Sequence, residues 1–213
     1  MKTETHLPPP AAGLSSLASV PLNAANQRLH DRAAADCGGP APWRHRKLAE
    51  IYVVLVLTQI CHRLILRWFD VREAFLARLI LKTPVPCLPD PKGQLQIVDY
   101  AELGLAYRQE ALRLPQPGYS FVQILYPTHV WHSNVALDHG NPICLGAKLP
   151  AGIRVLELIL MTYGALTFQA GAPNDAADPA GVLNPDAARW WQQNLAMVPL
   201  SRAPFLNADD NKK

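Results

Sequence analysis

Cys144 stands between Ile143 and Leu145 in a stretch rich in turn formers, with Gly140, Asn141 and Pro142 before it and Gly146 and Pro150 after it. Proline and glycine on both sides put it in a loop held by its neighbours, not inside a helix. A cysteine so placed can carry an acyl group. Its thiolate is a good nucleophile, and a thioester formed on it is reactive enough to pass the acyl group to an amine. The competing reading is a small apolar side chain buried between Ile143 and Leu145. His129, His132 and His139 lie in the same stretch. With Cys144 they do not make a zinc set, because two histidines three apart on an irregular segment need not converge and no second cysteine pair closes a site. No metal is expected. His132 or His139 could instead activate Cys144 as in a Cys-His protease. That chemistry also needs a third orienting group and a substrate cleft, and neither is recognisable here.

The surrounding residues, Tyr126-Pro127, His132-Ser133-Asn134, Gly140 and Ile143-Cys144-Leu145, form a pattern. It resembles the ubiquitin-conjugating enzyme family, in its divergent bacterial branch. There an edge strand ends in Tyr-Pro, a His-Pro-Asn tripeptide follows, and a glycine turn leads to Ile-Cys-Leu. A second segment, residues 182–194 (VLNPDAARWWQQN), resembles the Leu-Asn-Pro-x-Ala-Ala-x-Trp run that opens a late helix in bacterial members. The resemblance covers residues 94–199 well and the first 90 poorly. Ser133 stands where the family has proline, and Asn134 lies ten positions before Cys144, slightly farther than is usual.

The resemblance implies an α+β, ubiquitin-conjugating-enzyme-like fold and an acyltransferase. Cys144 would accept a ubiquitin-like modifier as a thioester from an adenylating activating enzyme and pass it to a lysine amine of a target protein. The Asn134 amide would donate to the oxyanion of that transfer or hold the loop that places Cys144. His132 would mostly bond backbone groups of its own loop. No cofactor is expected. In bacteria such enzymes tend to be encoded with the activating enzyme, the modifier and a zinc-dependent deconjugating peptidase, in systems linked to antiphage defence. The other functional class is a non-catalytic variant of the same fold that binds a modifier or partner. Such variants usually lose the cysteine, which is present here.

The elements that must position these residues come from the rest of the chain. Its 213 residues, 49% of them hydrophobic, suffice for one domain with an extension. A net charge of +3 and the lack of a basic, aromatic reader motif exclude a nucleic-acid partner. Four cysteines without CxxC spacing and no visible signal peptide point to free thiols in a reducing cytoplasm. Residues 1–43 are small, proline-rich and aperiodic, and are expected to be a disordered leader. Residues 44–199 form the domain, with N-terminal helices over 44–82 and the core over 94–199. Residues 51–61 are too short an apolar run to span a membrane, which takes about 20, and make a buried first helix. Asp70 would cap a second helix striped by Phe75, Leu76, Leu79 and Ile80. The prolines of residues 83–90 exclude helix and central strand, with Cys87 structural. Strands at 94–100, 103–107, 110–114 and 120–125 would make a short antiparallel meander flanked by helices. A helix is expected over 153–168, a loop over 169–181, a helix capped by Asn184, and a flexible tail over 200–213.

Overall fold

Pro42 opens the longest helix. A proline in the first turn loses no helical hydrogen bond, and its fixed φ suits the helix, so Ala41–Ile60 (α2) begins there and runs on through buried Ile51, Val54, Leu55 and Leu57. The computed structural model describes residues 17–137, 140–170 and 182–206. Ala24–Asp36 (α1) precedes α2. After it come Leu64–Asp70 (β1), Phe75–Cys87 (β2), Gln96–Tyr107 (β3) and Val122–Tyr126 (β4), then Val155–Leu166 (α3) and Pro185–Gln193 (α4). The strands pair antiparallel in chain order, β1-β2-β3-β4, as an open meander. The fold is α+β. No helix among the described residues is long and apolar enough to cross a membrane.

Alternation decides which face of the sheet is covered. Phe75, Ala77, Leu79 and Leu81 of β2 are buried beside Ala101, Leu103, Leu105 and Tyr107 of β3. They share one core with α2 and α3, which touch each other and lie against β1 and β2 respectively. Burying one such large apolar side chain contributes about 1.5–3 kcal/mol. On the opposite face Arg78, Lys82, Trp68 and Tyr100 are exposed, as period-two side-chain alternation requires.

Several sequence expectations are corrected. Residues 64–82 are two strands and not a second helix. Leu76 and Ile80 are half-buried on the open face, so both faces of β2 carry apolar residues. That fills the i, i+4 positions of a helical stripe and hides the alternation. Asp70 caps nothing; it ends β1 and accepts from Arg72 N–H at 2.8 Å. The proline stretch is strand up to Cys87. Past Lys82 the partner β1 has ended; β3 still pairs on one side through Val85, Pro86 and Cys87, while on the other residues 129–131 take over with bonds that use the Pro86 carbonyl and the Leu88 N–H, so that side asks no N–H of a proline. The two strands expected at 94–107 are one, β3, and residues 110–114 lie largely in a 3-10 turn, Gln109–Leu112.

The leader is corrected in its second half. Asn23 caps α1 by accepting from Asn26 N–H at 2.9 Å, and α1 docks on α2 through polar bonds. Asn26 Nδ2 donates to the Leu55 carbonyl at 2.9 Å, and Tyr52 Oη donates to the Val20 carbonyl at 2.7 Å. Ala33 is its buried residue, so no apolar stripe announces it. The tail is corrected too. Phe205 is buried edge-on to Tyr163, whose hydroxyl donates to the Ala203 carbonyl at 2.7 Å. Residues 1–16, 171–181 and 207–213, where the rest of the leader, most of the loop and the end of the tail were expected, lie outside the described residues.

One buried charge ties α2 to α3. Glu50 is fully buried, 2.7 Å from Arg46 Nε, and accepts from Arg154 Nε at 2.6 Å and from Val155 N–H at 3.0 Å. Val155 is the first residue of α3, so the Glu50 carboxylate satisfies an open N–H and sits at the positive end of the helix dipole. Arg46 Nη2 in turn donates to the Gly152 and Ile153 carbonyls, at 2.7 and 2.9 Å.

Candidate active site

The end of β2 receives the segment that carries the tripeptide. Trp131 N–H donates to the Pro86 carbonyl at 2.7 Å and Leu88 N–H to the His129 carbonyl at 2.8 Å. Cys87 lies in this pairing, and burial pushes its thiol above the ordinary range, which leaves it a poor nucleophile. The Trp131 carbonyl then accepts from the buried Trp191 indole of α4 at 3.1 Å. The chain turns at His132, Ser133 and Asn134.

His132 is buried with both ring nitrogens engaged by backbone. Nδ1 accepts from Asn134 N–H at 3.1 Å, so Nε2 carries the proton and donates to the Ala165 carbonyl of α3 at 2.9 Å. Its ring stacks on Phe168 at 4.3 Å between centroids. Burial lowers its pKa from 6.5 to about 4, against the opposing pull of the Ala165 carbonyl. A neutral imidazole with both nitrogens spoken for shapes the loop and moves no proton. The consequence for stability has a definite sign. The unfolded chain takes up a proton near pH 6.5 that the folded chain refuses until about pH 4, so stability is full above 6.5 and falls as the pH drops through that window. The loss attributable to His132 should reach about 2 kcal/mol by pH 5. Urea unfolding at pH 7 and pH 5 should show it, and His132→Gln should flatten that slope; an unchanged slope in the variant would exclude His132 as its source.

Ser133, also buried, bridges the two segments singled out in the sequence. Its carbonyl accepts from both Leu183 N–H and Asn184 N–H at 2.9 Å. Asn184 caps α4 as expected, accepting from Ala187 N–H at 3.0 Å. Ser133 Oγ donates to Asn134 Oδ1 at 2.9 Å.

The cysteine strand lies against this turn. Ile143 N–H donates to the Val122 carbonyl of β4 at 3.1 Å, and Cys144 N–H to the Asn134 carbonyl at 2.8 Å. Ala136 N–H donates to the Pro142 carbonyl at 3.1 Å. Asn134 and Cys144 are thus brought together, their backbones joined by one hydrogen bond. Asn141 takes the left-handed conformation, φ 50°, and donates through Nδ2 to the Ile124 carbonyl at 3.3 Å. Behind the cysteine, Gly118 approaches so closely that a Cβ there would sit 2.0 Å from the Gly146 oxygen. Only glycine fits. Leu145 N–H also donates to the Gly118 carbonyl at 3.4 Å, which joins the cysteine segment to this turn. Cys144 itself is 2% exposed and its thiol donates to the Gly146 carbonyl at 3.4 Å.

No disulfide joins the four cysteines. Among the described residues no group of three or more His, Cys, Asp or Glu side chains could hold a metal ion; His139 lies outside them. Compared with protein families, curated proteins and solved structures, the chain finds no match.

Proposed function

We propose that this chain is a ubiquitin-like-protein conjugating enzyme, with a fold of that family, in which Cys144 carries a modifier as a thioester and passes it to a lysine amine. The 2.8 Å bond from Cys144 N–H to the Asn134 carbonyl carries the reading, because it joins the backbone of a residue that bears a thiol to that of one that bears a carboxamide donor. In the transfer, the lysine nitrogen attacks the thioester carbon and a C–N bond forms. The carbonyl oxygen becomes an oxyanion, then the C–S bond breaks and the Cys144 thiolate leaves. The amine proton goes to solvent. The Asn134 amide meets the oxyanion, and His132 positions Asn134 through its backbone N–H. The partners are the modifier, an adenylating activating enzyme and a lysine-bearing target, with a zinc-dependent deconjugating peptidase in the same system. The cytoplasm is the compartment proposed, with a role in antiphage defence.

The burial of Cys144 favours a second reading, a catalytically inactive binding module of the same fold. For loading, Sγ must leave the Gly146 carbonyl and meet an incoming thioester. A synthetic peptide ending in Gly-Gly, supplied as its mercaptoethanesulfonate thioester, separates the two readings. The conjugating reading expects an acyl adduct that reductant removes, mapped by mass spectrometry to Cys144 and not to Cys37, Cys61 or Cys87. An adduct on Cys144 only after denaturation, and none on the folded chain, would exclude the conjugating reading and favour the binding module.

A further inference from the structure

Ser133 is the one departure from the tripeptide pattern, and its side chain makes a bond that a proline lacks. Its hydroxyl lies 2.9 Å from Asn134 Oδ1, and the donor residue is 1% exposed while Asn134 is half-buried. Its backbone is pinned independently, by the two N–H groups at the start of α4 on its carbonyl. Asn134 is held from two further directions. Its N–H lies on His132 Nδ1 and its carbonyl on Cys144 N–H. The backbone of Asn134 is therefore set by His132 and Cys144, whereas the Ser133 hydroxyl bonds its carboxamide oxygen.

We propose that Ser133 is a positioning residue for acyl transfer, acting on the reaction through the side chain of Asn134. This rests on the thioester reading of Cys144. A hydroxyl donating to Oδ1 does two things. It ties the carboxamide to a buried, pinned neighbour, which limits rotation about the Asn134 side chain and so preorganises the donor. It also polarises the amide, since a hydrogen bond to the carbonyl oxygen strengthens the N–H groups at the other end. Both effects matter when negative charge develops on the thioester oxygen, and little before.

The test loads the full-length chain with the Gly-Gly peptide thioester and follows discharge to free L-lysine. For Ser133→Ala the ratio of discharge rate to loading rate should fall roughly tenfold, the rate equivalent of one hydrogen bond. Ser133→Thr, which keeps the hydroxyl, should restore it to within about threefold of the parent. Ser133→Pro is the second hydroxyl-free variant and should match Ser133→Ala. The Asn134 side-chain amide signals in a nitrogen-15 spectrum should move in both hydroxyl-free variants and return in Ser133→Thr. In an Asn134→Ala background, Ser133→Ala should cause no further slowing, because the proposed action passes entirely through that amide. Discharge of Ser133→Ala at the parent ratio overturns the proposal. So does equal slowing with and without Asn134, which would make Ser133 a loop-holding residue. A parent chain that takes no acyl group on Cys144 overturns the thioester reading itself, an outcome distinct from either.

Discussion

Asn134→Ala is expected to accept an acyl group on Cys144 at close to the parent rate and to pass it to lysine roughly 10²-fold more slowly. The substitution isolates the side chain. The bonds that fold the turn, Asn134 N–H to His132 Nδ1 and Cys144 N–H to the Asn134 carbonyl, are both backbone bonds on the Asn134 side, and alanine keeps them. What is lost is the carboxamide, along with the partner of the Ser133 hydroxyl, a stability cost of about 1 kcal/mol. Loading exchanges one thioester for another with a good leaving group and asks little of an oxyanion donor. Attack by an amine passes through a tetrahedral oxyanion, where such a donor contributes most. Asn134→Asp should discharge as poorly, since a carboxylate repels the oxyanion. Single-turnover loading and lysine-discharge assays give the two rates separately. Parent-like discharge in both variants would reduce Asn134 to a turn residue, and failure of both to load would make it a structural support of the cysteine loop.

Glu50→Ala is expected to cost about 3–5 kcal/mol of folding stability. The carboxylate is fully buried between Arg46 and Arg154 and holds the first N–H of α3. Its removal leaves the Arg46 guanidinium, whose side chain is 20% exposed, without its counter-charge, and the Val155 N–H without its acceptor. Those penalties, more than the intrinsic worth of the ion pair, make up the estimate. Arg154 is 45% exposed and recovers solvent, so it adds little. Urea unfolding should show an earlier midpoint at an unchanged slope, and a thermal midpoint lower by roughly 10 °C. Glu50→Gln, which keeps the shape and one acceptor, should lose about half as much. The change should reach the site as well, because α3 carries the Ala165 carbonyl that anchors His132. A loss under about 1 kcal/mol for Glu50→Ala would mean that the apolar contacts of α2 and α3 suffice without the charge.

What could be read without coordinates was local. The cap at Asn184, the helix after Gly152, the alternation of Val122, Gln123 and Ile124 and the loop character of Cys144 each depend on residues a few positions apart. The motif order singled out Asn134 and Cys144 as partners in transfer, and the backbones of these two residues are joined by one hydrogen bond. The misreadings share one cause. Residues 64–87 present apolar side chains on both faces of the sheet, so the helical and strand periods coexist in the sequence and only pairing with β3 selects between them. Prolines at 84 and 86 exclude a central strand only where a neighbour needs their N–H, and where β1 ends and residues 129–131 take over on the Pro86 carbonyl is a property of the sheet. Helix α1 has no apolar stripe because it binds α2 through Asn26 and the segment before it.

By itself, then, the sequence determined an α+β chain with a loop cysteine, an asparagine shortly before it and a capped late helix, because propensity, capping and turn chemistry act over a few residues. Tertiary structure alone decided that Ser133 touches both the start of α4 and the Asn134 amide, that His132 is neutral against Ala165, and that Gly118 must leave room for Gly146. Those contacts join residues far apart in the chain. Their energies depend on burial and on distances of a few tenths of an ångström, quantities that residue order does not carry.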